Sequence, residues 1–155
     1  MTVPLPVTLS LSDEQALPVD AGRLGDVARR TAAAEGATGE ISIILVGTDR
    51  ITELNIEHLD GTGPTDVLAF PIDGLVTEAP DPDGPPVVIG EVVLCPEVAA
   101  GQAPSGPDGF AAELDLLVAH GVLHLLGYDH DTEEHAAAMR RREEAACGRS
   151  GARAS

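Results

Sequence analysis

Four of the chain's five histidines fall within sixteen residues, and three of them stand in the stretch HGVLHLLGYDH, His120 to His130. His120 and His124 lie four apart in a helical pattern, so their side chains share one face, with Cβ atoms about 5–6 Å apart. Gly127, three residues on, suits the left-handed conformation that ends a helix. The chain can then reverse and bring His130 back to the same point. Three neutral imidazoles converging in this way bind one metal ion and leave a tetrahedral position open to water. Zinc lowers the pKa of that water to about 7, so hydroxide becomes available near neutral pH. Zinc is the first choice of ion, although imidazole also suits nickel, copper and iron. A His pair at this spacing also arises by chance; the third His after a helix-stopping Gly makes the pattern specific. His135, inside the next helix, and His58, near the end of an earlier one, read as exposed helical residues.

Around this cluster the neighbours have weaker assignments. Glu113 shares roughly the face of His120 two turns earlier and is a candidate support for a ligand, as is Asp129, which can hydrogen-bond an imidazole and set its tautomer or simply make the turn. Asp115 lies five residues before His120. Tyr128, the single tyrosine, is expected to pack at the rim of the site. Cys95 follows a buried-type strand and reads as a core thiol, not a fourth ligand. Thr65 and Asp66 open a strand and either line a cleft or make a turn. The residue after His120 is Gly121, whereas the zinc-protease pattern of two His, a Gly and a third His needs a Glu there as general base.

The elements that must position these residues follow from periodicity. Val3 to Leu9 reads as a strand that Pro4 and Pro6 confine to a sheet edge. Asp20 to Glu35 reads as a helix stopped by Gly36 and Gly39. Ile41 to Val46 is a β-branched run typical of a buried strand. A helix capped by Thr48 or Asp49 follows, with Ile51, Leu54 and His58 or Leu59 inward. Asp66 to Phe70 and Val87 to Leu94 are strands, the second with Gly90 at a bulge. Between them runs a polar, proline-rich loop, Pro71 to Pro86, long enough to be functional or mobile. Pro96 opens a short helix to Gln102. Helices are expected from Phe110 to Leu126 and from Thr132 to Ala146, the latter started by Asp131 with Glu134. Arg140, Arg141 and Arg142 are expected to pair with Glu143, Glu144 and earlier acids on a solvated face. The order β-α-β-α-β-β-α-α-α predicts an α+β fold: one domain over residues 1–147, a small mixed sheet packed with helices, and a disordered tail over 148–155.

Composition narrows the function. The chain has 155 residues, enough for one real core. Nine arginines face 26 acids for a net charge of −17, with no lysine at all. Such a field repels bulk polyanions, which argues against broad, non-specific nucleic-acid binding while leaving a local groove open. Two cysteines are too few for a disulfide framework. No apolar run approaches the ~18 residues of a membrane span. No basic residue precedes the first apolar stretch, as a secretory signal would require. These features predict a soluble cytoplasmic protein with no membrane partner.

Three ordered blocks add a resemblance. HGVLHLLGYDH resembles the signature of the YbeY family, the metal-dependent rRNA maturation factors and endoribonucleases of bacteria. Upstream, Glu53-Leu54-Asn55 with GPTDVLAFP (Gly63 to Pro71), and GEVVLCPE (Gly90 to Glu97), are similar to its other blocks. The resemblance implies that His120, His124 and His130 are the ligands of one Zn2+ in a cleft. It implies cleavage of single-stranded RNA in 16S rRNA 3′-end maturation and ribosome quality control. The implied partners are rRNA precursor, the small ribosomal subunit and its assembly factors. The chain departs from the pattern at two places: Leu59 stands where many members carry an arginine thought to hold RNA, and Ala69 replaces the usual serine before Phe70-Pro71. No RNA-binding residue is therefore assigned. The attacking group is either metal-generated hydroxide or the RNA 2′-hydroxyl. Two other readings stand beside the nuclease: a ribosome-assembly binding factor with a mainly structural metal, and a metalloprotease, ranked last because of Gly121.

Overall fold

The computed structural model describes residues 6–11, 17–59, 61–78, 81, 83–129 and 131–147. Their order is β1 (Val7–Leu11), α1 (Ala21–Ala34), β2 (Glu40–Leu45), α2 (Thr48–Leu59), β3 (Val67–Pro71), β4 (Val88–Leu94), α3 (Pro96–Gln102), α4 (Gly109–Leu125) and α5 (Glu133–Ala146). The sheet runs β1-β2-β4-β3, with β1, β2 and β4 parallel and β3 antiparallel to β4. This is the mixed sheet of an α+β domain. β1 is the edge strand that Pro6 requires; it begins at Val7 and runs past Leu9 to Leu11, and residues 3–5 and the tail from Gly148 lie outside the described residues.

β2 alternates in burial, so Ile41, Ile43 and Leu45 point to one face. There they meet Leu24, Val27, Ala28 and Ala32 of α1 and Leu114, Val118, Val122 and Leu125 of α4. A smaller cluster of Val46, Ile51, Leu68, Val93 and Cys95 fills the other face under α2. Of the residues expected inward on α2, Ile51 is buried and Leu54 half-buried, while His58 and Leu59 are exposed. The register between β2 and β4 slips by one residue, since Glu40 pairs with Val88 and Ile41 with Gly90. Ile89 is the extra residue, next to the glycine that marked the bulge. A Cβ on Gly90 would sit 2.6 Å from the Phe70 carbonyl oxygen, so only glycine lets β3 and β4 approach there.

The long loop after β3 is tied down along its described first part. Ile72, Asp73 and Gly74 donate backbone bonds to Ile89 and Val88, and Thr38 donates to Val76 through both its amide and its hydroxyl. α5 starts one residue away from the expected signal: Thr132, not Asp131, caps it by accepting from the amide of His135 at 3.1 Å.

Candidate metal centre

α4 is buried almost all round, which its apolar sequence requires. Beyond its first turn, the half-buried positions are Leu116, His120 and His124, four apart, so one stripe faces open space. What brings this helix so close to the sheet is Gly121. A Cβ there would lie 2.8 Å from one methyl of Val92 and 3.3 Å from a methyl of Val67. The helix ends as the Gly127 signal requires. Gly127 has φ of 100°, its amide donates to the His124 carbonyl, and the Tyr128 amide donates to that of Leu123. These paired bonds are a Schellman motif, and they turn the chain immediately after the second histidine.

The two imidazoles meet at their Nε2 atoms, 3.1 Å apart, with ring planes at 80°. His120 donates its Nδ1–H to Oε2 of Glu143 at 2.6 Å. That bond leaves the lone pair of His120 on Nε2, facing His124. Two nitrogen lone pairs at this separation repel unless a proton or a cation lies between them. Nitrogens each ~2.0–2.1 Å from one ion must themselves lie within about 4 Å of each other, and these do. The donor set of His120 and His124, with a buried carboxylate behind one ring, therefore fits a divalent ion. His130, expected as the third ligand, lies outside the described residues; among those described, no group of three or more His, Cys, Asp or Glu is arranged to hold a metal.

The histidines open into a cleft of about 720 Å³. Thr65, Asp66 and Ala69 from the β3 segment, Gln102 from α3 and Leu59 from α2 line it, together with Glu113, Gly121 and Glu143. The strand-opening pair Thr65-Asp66 is thus a cleft pair, and the Gln102 amide donates to Asp66 at 3.0 Å. Among the described residues no arginine lines the cleft, and three carboxylates do, which favours a cation at its floor. Glu113 is buried beside the site. Asp129 is exposed on the turn after α4.

Three expectations need correction. Glu143 is not on a solvated face: it is 7% exposed and serves His120. Its position was legible, because Met139, Glu143 and Ala146 form one buried stripe of α5, an acid among apolar residues at helical spacing. Arg142 pairs with Glu35 at the end of α1, 3.3 Å away, instead of with an acid on its own helix. Tyr128 turns away from the cleft, giving its hydroxyl to Glu35. Asp115 is buried and takes a forked contact from Arg23 of α1, with its shortest bond at 2.7 Å, and so locks α1 to α4. Cys95 is fully buried, as expected of a core thiol, and burial pushes its pKa up. His58 and His135 are exposed; His135 pairs with Asp131 at 2.6 Å.

Comparison with known proteins bears on this cleft. The Endoribonuclease YbeY family matches residues 13–151. The chain belongs to that family. A YbeY endoribonuclease of Salinispora tropica is 43% identical over 83% of this chain and 86% of its own length. One from Thermobifida fusca is 39% identical over 83% of this chain and 85% of its own. The solution structure of a Thermotoga maritima protein superposes with a TM-score of 0.57 at 26% identity, covering 92% of this chain and 89% of that one. Of the YbeY blocks quoted from the sequence, GPTDVLAFP supplies one wall, GEVVLCPE the strand beneath Gly121, and His120, Gly121 and His124 the floor, while Glu53-Leu54-Asn55 is not part of the lining. Among the described residues no helix is long and apolar enough to cross a membrane.

Proposed function

We propose that this YbeY chain is a zinc-dependent endoribonuclease that cuts single-stranded RNA, acting in 16S rRNA 3′-end maturation and ribosome quality control in the cytoplasm. Its partners are the rRNA precursor, the small ribosomal subunit and its assembly factors. The observation that carries the reading is the pair of Nε2 atoms 3.1 Å apart, with Glu143 fixing the tautomer of one ring, at the floor of a cleft. His120 and His124 would hold the ion, with His130 as the third donor. When bound, zinc supplies Lewis acidity toward a phosphate and acidifies water near neutral pH.

The rest of the work falls to the chain itself. Glu143 fixes the tautomer that leaves the lone pair of His120 on Nε2 and holds its ring angle. The buried Glu113 adds negative charge beside the donors. Leu59 presents apolar surface at the mouth, while Thr65, Asp66 and Gln102 present hydrogen-bonding groups rather than cations. A strand entering this cleft therefore meets base- and sugar-directed contacts in place of arginine–phosphate pairs. Protease chemistry is disfavoured by packing as well as by residue type, because a Glu at position 121 would collide with Val92.

The deciding experiment pairs elemental analysis with cleavage of a precursor rRNA by the wild type and by His124→Ala. Loss of both stoichiometric zinc and cleavage in the variant supports the reading. Undiminished cleavage by a metal-free variant refutes it. Ribosome association that survives loss of turnover, in a chain that unfolds when chelated, would favour the assembly-factor reading instead.

A further inference from the structure

β3 is an outer strand: it pairs with β4 on one side, and among the described residues no strand lies on its other side. Asp66 accepts from the Cys95 amide at 2.9 Å, and the Ile72 amide donates to Ile89 at 3.0 Å, at the two ends of one register. Bonding alternates along an antiparallel pair, so Leu68 and Phe70 direct their backbone groups to β4, while Val67 and Ala69 aim theirs away from it. Pro71, in phase with them, has no N–H to place there, as suits an open edge. This edge borders the cleft. Val67 and Ala69 pack with the larger core cluster and Leu68 with the one on the opposite face, yet all three line the cleft. Residues whose side chains point to opposite faces share one cleft along the strand's edge. A methyl of Val67 also comes within 3.3 Å of where a Cβ on Gly121, the neighbour of His120, would sit. The edge and the histidines are therefore parts of one surface. Valine and alanine carry no polar side-chain atom, so at these two positions the chain can hydrogen-bond only through its backbone.

We propose that the open edge of β3 is the single-strand sensor of the cleft, its outward N–H and C=O groups at Val67 and Ala69 pairing with the Watson–Crick edges of unpaired RNA bases. This rests on the RNA reading above and gives it a physical reason for preferring single strands. Each unpaired base presents a donor beside an acceptor on that edge. The Val67 carbonyl accepts from the one, and the Ala69 amide donates to the other. A duplex has both groups engaged in pairing and offers its phosphates instead. Among the described residues the cleft meets phosphates with three carboxylates and no arginine. All four bases carry such a pair, so the edge selects for strandedness and not for sequence. A further protein strand is the poorer occupant, because Pro71 ends the row of outward N–H donors after Ala69.

The test measures binding of a labelled uridine dodecamer to the full chain by fluorescence anisotropy, as purified and again with a chelator that stops cleavage. A second dodecamer carries a methyl on N3 of every uracil, which removes the base donor and leaves the phosphates and sugars unchanged. Wild type should bind it roughly ten-fold or more weakly, since each blocked base loses a hydrogen bond and leaves a carbonyl unpaired. Ala69→Pro deletes one outward N–H and spares the bonds to β4; it should weaken binding of the unmodified RNA roughly three- to ten-fold. The methylated RNA should bind this variant as it binds wild type, because both changes break one contact. Leu68→Pro, which breaks the ladder, should lower the melting temperature where Ala69→Pro does not. If Ala69→Pro does not fold, the two RNAs on wild type carry the test. Equal binding of both RNAs by wild type overturns the sensor and leaves the nuclease reading standing. So does a folded Ala69→Pro that binds RNA as wild type does but changes its state of self-association, which would make the edge a contact between copies of the chain. A chain that discriminates the two RNAs yet cuts neither upholds the sensor and removes the nuclease. A wild-type chain that binds no RNA overturns both.

Discussion

Replacing Glu143 should loosen the metal centre without dismantling the fold. Its side chain is 9% exposed, and its carboxylate accepts the Nδ1–H of His120 at 2.6 Å, a charge-assisted bond in a shielded place. Such bonds contribute roughly 1.5–3 kcal/mol against roughly 0.5–1.5 for neutral ones. Glu143→Gln keeps an acceptor but not the charge, so it loses about 1–1.5 kcal/mol of ligand support. At about 1.4 kcal/mol per factor of ten, zinc affinity falls roughly 5–15-fold. Glu143→Ala leaves His120 free to rotate or to take the other tautomer, and the loss reaches about 10–100-fold. Stability changes less, because the His120 side chain is 29% exposed and water can replace the lost acceptor. A melting-temperature drop of only a few degrees is expected for about 1 kcal/mol in a chain of this size. Chelator competition gives the affinities and thermal denaturation the control. Zinc binding by folded Glu143→Ala within two-fold of wild type would refute the argument, as would Glu143→Gln binding more weakly than Glu143→Ala.

Arg23→Ala should cost about 2 kcal/mol, lowering the melting temperature by roughly 4–8 °C; the buried Asp115 loses its partner, but Arg23 is 41% exposed, which moderates the loss. An unchanged transition would show that the forked pair does not lock α1 to α4. Gly121→Glu, which restores the protease-type residue, should destabilise by about 1–3 kcal/mol or more through overpacking against Val92, and should yield no peptidase. A stable variant with peptide hydrolysis would contradict both points. His135 should titrate above its ordinary 6.5, held up by its hydrogen bond to Asp131, whose own pKa is lowered from 3.8 by the same bond. The histidine's contribution is complete below pH 6.5 and lost as pH rises through its higher folded value. The carboxylate's is present above 3.8 and lost as pH falls through its lower one. The pair therefore acts between those limits. NMR titration should find the His135 value returning toward 6.5 in Asp131→Asn, and no change there would remove Asp131 as the cause.

The sequence by itself determined the elements and the pair of helical histidines. Period and punctuation act within a few residues: the β-branched run at Ile41 made β2, Pro96 opened α3, and Gly127 closed α4. The four-residue spacing of His120 and His124 needs only a helix to bring the rings together. Even the edge position of β1 was legible, because Pro6 cannot donate to a second neighbour. What only the tertiary structure decided is who stands behind those residues. Glu143 reaches His120 across 23 residues, Arg23 reaches Asp115 across 92, and Tyr128 reaches Glu35 across 93. No local pattern encodes such partners, since they depend on how α1 and α5 pack against α4. Gly121 shows the same division: in the sequence it was a missing general base, and in the fold it is the close contact that seats the histidine helix on β4.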